Sequence, residues 1–231
     1  MKDAYFLSRA RVRRDAPIAA LRDVLLPGDD SARFSAGHQL VWTLFADAPD
    51  RDRDFLWRGG GAGGLLILFP RAPHDAHAIF DLEPPKPFQP ALRVGQRLRF
   101  SLRANATVAK SIEAGTRGKP CDVVMDALHK LPPTKRARER TRIVQEAGSR
   151  WLVAQGQRSG FTVDRDDEGV QVMAYRQLQL RRRGSTPARV GVLDLEGVLT
   201  VTEPGRIMER IAAGFGRAKA FGCGLMLIMR A

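Results

Sequence analysis

Apolar residues at Leu40, Val41, Leu44 and Phe45 recur at i, i+1, i+4 and i+5, which predicts an amphipathic helix over AGHQLVWTLFAD. Ser35, just ahead of that stripe, is a candidate N-cap, and Pro27 to Ser35 reads as a loop. Short strand-like runs occur at Tyr5–Val12, Asp54–Arg58 and Leu65–Phe69. The glycines between the last two fit a hairpin loop; they match GxGxxG through Gly59, Gly61 and Gly64, but a strand follows where a dinucleotide site needs a helix. The proline-rich run Glu83–Leu92 reads as a linker. GQRLRFSLRAN alternates, with Leu98, Phe100 and Leu102 on one face and Arg97, Arg99, Ser101 and Arg103 on the other: a strand with a basic outer face. Residues Ala106 to Pro133 show no period and predict a long loop. Lys135–Gln157 is helical, with Ile143, Val144, Ala147, Trp151 and Ala154 on one side. Strands are expected at Phe161–Val163, Val170–Leu180 and Arg189–Val201, the last with Gly197 as a bulge. A short helix Pro204–Ala213, a glycine-rich loop and a strand Leu225–Met229 follow.

The order is βαββ(α)β, a linker, then a βαβββαβ-like run. That is best explained as an α+β protein of two tandem ferredoxin-like (RRM-like) domains with antiparallel sheets, residues 1–90 and 91–231. No internal sequence repeat is visible. The 231 residues, 44% of them hydrophobic, suffice for one or two cores.

Charge adds the first functional pointer. Lys plus Arg number 38 against 25 Asp plus Glu, a net +13, which favours a polyanionic partner because each neutralised phosphate releases counterions. The two cysteines, Cys121 and Cys223, form no CxxC pair, so a zinc ribbon is excluded and Cys223 is expected as a buried thiol in a reducing compartment. MKDAYFLSRARVRR has no apolar core of signal-peptide type, and the run Leu225–Met229 is too short to cross a bilayer. A soluble, cytoplasmic protein with no membrane partner is expected.

Two segments carry candidate chemistry. GFGRAKAFGCGL holds Gly214, Gly216, Gly222 and Gly224 as two GxG pairs five residues apart, with Arg217 and Lys219 between them. Such glycines either let backbone amides approach a phosphate or serve a tight helix-to-strand crossing. The P-loop pattern is missing. Of the four histidines, His38 falls at the border of the buried helical stripe and in the expected first turn, where the helix dipole favours a neutral ring suited to general-base work. His74 and His77 flank Asp75 without further ligands and read as exposed loop residues. Asp50, Asp52 and Asp54 alternate, but Arg51 and Arg53 interleave as on a surface turn. No metal and no cofactor are implied.

YFLSRARV near the start, Gly37–Arg58 (GHQLVWTLFADAPDRDRDFLWR), RLRFSLRAN, VLDLEGVLTVTEP and the terminal glycine motif occur in the order found in CRISPR repeat-processing endoribonucleases of the CasE family, subtype I-E, in the RAMP superfamily. The chain closely resembles that family over most of its length. The resemblance implies a metal-independent ribonuclease that binds a CRISPR repeat stem-loop, cleaves at its base by 2′-hydroxyl attack and stays with other subunits of the Cascade complex. It places His38 on the family's catalytic histidine, as base, acid or electrostatic element. Three basic surfaces are expected for RNA: Arg97, Arg99 and Arg103 with Asn105 and Lys110; the turn Arg181, Arg182 and Arg183, which resembles the family's basic hairpin; and the glycine loop with Arg217 and Lys219. Where family members often carry tyrosine three residues before the histidine, this chain has Ser35. The competing readings are a non-catalytic RNA-binding subunit, which would not need His38, and a metal-dependent nuclease built on the Asp50/Asp52/Asp54 run.

Overall fold

The structure, a computed structural model, describes residues 4–15, 28–45, 52–60, 64–110, 118–163, 169–180 and 188–231. Arg181–Arg183 and Asp50 lie outside these residues. The first sheet is built from β1 (Phe6–Val12), β2 (Leu56–Gly59), β3 (Gly64–Phe69), β4 (Phe80–Leu82) and the two-residue β5 (Lys86–Pro87). Its order is β2-β3-β1-β4, with β5 also on β1, and every pairing is antiparallel. The second sheet comprises β6 (Arg97–Ala104), β9 (Phe161–Val163), β10 (Val170–Leu180), β11 (Ala188–Val201) and β12 (Met226–Arg230). Its order is β10-β11-β6-β12, with β9 also on β11. Counting each unit's long strands in chain order, both sheets read 2-3-1-4. This is the ferredoxin-like arrangement, repeated without any repeat in sequence.

One face of the first sheet is covered by α1 (Asp30–Thr43). Leu40, Val41, Leu44 and Phe45 are all buried there against Ala10, Val12, Ile67 and Phe69, each contributing about 1.5–3 kcal/mol of transfer free energy. The helix is capped six residues before the expected position. Asp29 Oδ2 accepts from the Ala32 amide at 2.7 Å and caps it, while Ser35 lies inside the helix with its hydroxyl on the Ser31 carbonyl at 3.2 Å. The extra turns are held by the second unit: Phe34 packs with Leu178, Val192 and Cys223, and Ser31 Oγ accepts from the Gln179 amide at 3.2 Å. His38 therefore sits in mid-helix and not in the first turn.

The expected loop after β6 is also ordered where it is described. β7 (Thr107–Lys110) pairs with β8 (Lys119–Asp122), and α2 (Val123–His129) follows, capped by Asp122, whose Oδ1 accepts from the amides of Val124 and Met125 at 2.9 Å each. α3 (Pro133–Ser159) and α4 (Pro204–Ala213) complete the layer over the second sheet, around Leu102, Trp151, Leu195 and Phe215. The proline-rich segment is partly a strand, since β5 adds to β1 through the pairs Phe6–Pro87 and Leu7–Lys86. Leu56 and Leu68 of the first sheet belong to the second unit's core, so the two units share a packed boundary. Among the described residues no helix is long and apolar enough to cross a membrane.

Candidate active site

The site forms where α1 meets β2 and the glycine-rich loop. Gly37 lets the helix lie on Trp57: a Cβ at this position would stand 2.4 Å from the indole. From the other side Gly222, at φ +72°, presses on the same ring, where a Cβ would be 3.1 Å away. Trp57 Nε1 donates to the Ala220 carbonyl at 3.0 Å and so fixes the 3-10 turn Lys219–Phe221. His38, next to Gly37, points at that turn. Its half-buried ring lies 5.8 Å from the Phe221 ring and 6.0 Å from Trp42, close to the Ala220 backbone.

His38 Nδ1 is buried and has no hydrogen-bond partner among the described residues. Burial lowers the His38 pKa below its ordinary value, the charge of Arg53 lowers it further, and the Ala220 backbone, which favours the charged ring, opposes both. The ring is thus held neutral near pH 7 by a cause other than the helix terminus expected from sequence.

Arg53 is the residue that sequence reasoning missed. It looked like part of a charged surface turn, yet it is half-buried, its Nη1 donates to the Phe55 carbonyl at 2.7 Å, and burial lowers its pKa. Nothing in the DRDRD run marks it out, because its placement comes from the packing of Phe55 below it. Lys219 is the second cation. Its Nζ donates to the Ala213 carbonyl at 2.6 Å, and its pKa is lowered by burial and then by Arg210 and Arg53. The neighbouring Asp54 is engaged by Arg71 through Nε at 2.6 Å and Nη2 at 3.3 Å.

The glycine loop is folded onto β6. The amides of Phe215 and Gly224 donate to the Gly224 and Arg103 carbonyls at 2.9 and 2.7 Å, and the Arg217 amide donates to the Asn105 carbonyl at 3.1 Å. Gly214, Gly216 and Gly224 also have positive φ, and a Cβ on Gly216 would stand 2.5 Å from the Asn105 carbonyl oxygen. The close backbone approach they permit is to the protein's own strand.

The expected RNA-contacting residues separate into two groups. Arg97 and Arg99 are exposed on β6, and Arg217 is exposed on the loop. Arg103 is committed to Asp194 at 2.7 and 3.1 Å and lies over Phe34. Asn105 is buried and donates to the Gly191 carbonyl at 2.7 Å. Lys110 pairs with Asp126. His74 and His77 are exposed, and Asp75 accepts from the amides of Ile79 and Phe80. No group of three or more His, Cys, Asp or Glu residues is placed to hold a metal ion among the described residues.

Comparison with known proteins gives consistent matches over the whole chain. A family model described as CRISPR associated protein matches residues 5–230. The CRISPR-associated endoribonuclease Cse3 of Thermus thermophilus is 34% identical over 226 residues, covering 89% of this chain and 96% of the relative. The CRISPR system Cascade subunit CasE of Escherichia coli is 27% identical over 195 residues, covering 82% and 88%. A solved structure of CRISPR endoribonuclease Cse3 bound to 19-nucleotide RNA superposes with a TM-score of 0.68 at 26% identity, covering 99% of this chain and 100% of that one. The crystal structure of Cas6e from Escherichia coli shares the fold, with a TM-score of 0.59 at 21% identity over 98% of this chain and 100% of that one.

Proposed function

The chain belongs to the CRISPR associated protein family, and on that premise we propose that it is an endoribonuclease that binds the stem-loop of CRISPR repeat RNA, cuts the precursor at the hairpin base and remains on the product as a Cascade subunit. Two relatives, one named an endoribonuclease and one a Cascade subunit, support this reading. The observation that carries it is the neutral, half-buried imidazole of His38 beside the Arg53 cation, with Lys219 near Arg53 in turn, at the seam of helix and loop.

The proposed reaction uses the RNA's own nucleophile and needs no metal. A 2′-hydroxyl gives up its proton, its oxygen bonds to the adjacent phosphorus in line, and the 5′-oxygen leaves with a proton. A 2′,3′-cyclic phosphate and a 5′-hydroxyl result. With Nδ1 enclosed by protein, Nε2 is the nitrogen left for proton transfer. A neutral ring suits the base role. Arg53 and Lys219 would stabilise the extra charge on the phosphoryl oxygens, a contribution of about 10²–10³ in rate for one well-placed donor. Arg97, Arg99 and Arg217, together with Arg181–Arg183, would hold the stem, whose narrow A-form major groove hides the base edges, so that recognition rests on shape and backbone charge. Arg103 and Asn105 serve the site by holding the glycine loop and its supporting strand. We assign residues 1–90 to the unit that bears His38 and residues 91–231 to the unit that supplies the loop, and we place the protein in the cytoplasm with its transcript.

His38→Ala tests the assignment on repeat RNA. Cleavage should be lost while affinity stays within a few-fold, and cleavage by the unsubstituted protein should persist in excess EDTA. Cutting by the variant would place the chemistry elsewhere. Failure of the unsubstituted protein to cut would leave a non-catalytic RNA-binding subunit.

A further inference from the structure

The face of the first sheet turned away from α1 holds a groove of about 450 Å³, lined by Arg9, Arg11, Arg58, Leu66, Ser101 and Leu227. Strand register explains its chemistry. Leu66 of β3 stands opposite Arg9 of β1 on one side and Arg58 of β2 on the other. Residues directly opposed in an antiparallel pair project to the same face, so these three form one row with an apolar centre between two guanidinium groups. In the next row Arg11 faces Gly64, and the Gly60 amide closes the hairpin on the Gly64 carbonyl at 2.7 Å. Among the described residues no side chain fills the middle there, and the backbone of Gly60 and Gly64 lines the groove. In the preceding row Leu7, Leu68 and Leu56 seal the floor against the second unit's core. The opposite wall is the cross-strand pair Ser101–Leu227 of β6 and β12.

The charges in this groove differ in their freedom. Arg58 is fixed, donating from Nη1 to Ser101 Oγ at 2.9 Å, and Ser101 donates in turn to Glu196 at 3.1 Å. Arg9 meets Glu83 at 3.4 Å with both side chains about half exposed, an arrangement worth little in water. Arg11 is exposed and makes no ion pair with a described residue, although Asp81 is its cross-strand neighbour. Two exchangeable cations, bare backbone and an apolar floor suit a nucleotide: phosphate on the arginines, base or ribose over Leu66 and Leu227. The volume accommodates a small ligand, whereas a duplex stem is far wider.

We propose that this groove takes a single-stranded segment of the RNA that flanks the bound stem-loop. The site lies on the other side of the sheet from α1 and His38. It rests on the reading of the protein as an RNA binder. An acidic peptide could also pair with Arg9 and Arg11, but it would make no use of the flat apolar row or the open glycine backbone.

The test uses the full chain carrying His38→Ala, so that RNA stays uncut, and two RNAs: the repeat stem-loop alone and the same stem-loop with its unpaired flanks. In this background the flanks should tighten binding about tenfold, roughly 1.4 kcal/mol. Adding Arg9→Gln and Arg11→Gln should remove that gain, leave the bare stem-loop within twofold, and flatten the salt dependence on flanked RNA by about 1.4 in log–log slope, ~0.7 for each lost single-strand phosphate contact. The single substitutions, each losing part of the gain, guard against a misfolded double variant. Equal losses on both RNAs, or no loss on either, would overturn the proposal, as would variants that bind flanked RNA normally but fail to join a partner subunit. If the parent chain binds neither RNA, the functional reading fails first.

Discussion

At the scale of single residues, Arg53 and His38 form the testable pair. Arg53 lowers the imidazole pKa, so Arg53→Met should raise it. If the neutral ring is the working form, the acidic limb of the rate profile of Arg53→Met should move to higher pH, toward the ordinary value of 6.5. Its plateau should fall as well, because a cation near the reacting phosphate is lost; an unmoved limb would separate Arg53 from the ring. The same depressed pKa has a consequence for folding. The folded state binds fewer protons at His38 than the unfolded chain does, so its contribution to stability is present above pH 6.5 and is lost as the pH falls from there through the lower folded value. The stripe Leu40, Val41, Leu44, Phe45 was enough to place His38 at a burial border, and the structure leaves the ring half-buried. Its actual neighbours were not legible. Arg53 and Ala220 come from segments far apart in sequence, and no period connects them.

At the scale of elements, the seating of α1 on β2 decides where His38 stands. Gly37→Ala would drive a methyl into the Trp57 indole, and overpacking of this kind costs about 1–3 kcal/mol. A denaturant melt should show that loss, and the cleavage rate should fall with it because the displaced backbone carries His38. Adding Trp57→Phe, which removes the outer ring atoms, should restore part of the stability. It should not restore the full rate, since the bond from Trp57 to the Ala220 carbonyl is gone. The start of α1 and the segment 106–133 show why element boundaries were harder to read than element types. Phe34 packs on the other unit, so it stands outside the helix's own stripe. Likewise β7 and β8 are short, half-exposed strands that pair mainly with each other, and they carry little alternation to detect.

At the scale of the whole molecule, the two units repeat one strand order while differing in what connects the strands. The run between β3 and β4 contains no helix, whereas the corresponding run between β11 and β12 contains α4 and the glycine loop. This difference hides the repeat from sequence comparison, although the hydrophobic periods still gave the antiparallel two-unit architecture. Net charge belongs to this scale too. With +13 overall, binding to repeat RNA should weaken by about 10³–10⁵ between 50 and 200 mM salt if six to ten phosphates are contacted. A titration showing a flat salt response would remove the polyanion argument altogether.

The packing of the Lys219–Phe221 turn against His38 has a further consequence for how the site is assembled. His38 emerges from the ribosome before the turn Lys219–Phe221 that faces it, and the inner strands of both sheets lie between them or ahead of them in the chain. Domains generally fold in the order of synthesis. A nascent chain therefore carries its imidazole through synthesis of the intervening strands without the turn that packs against it, and the site closes in a single later step.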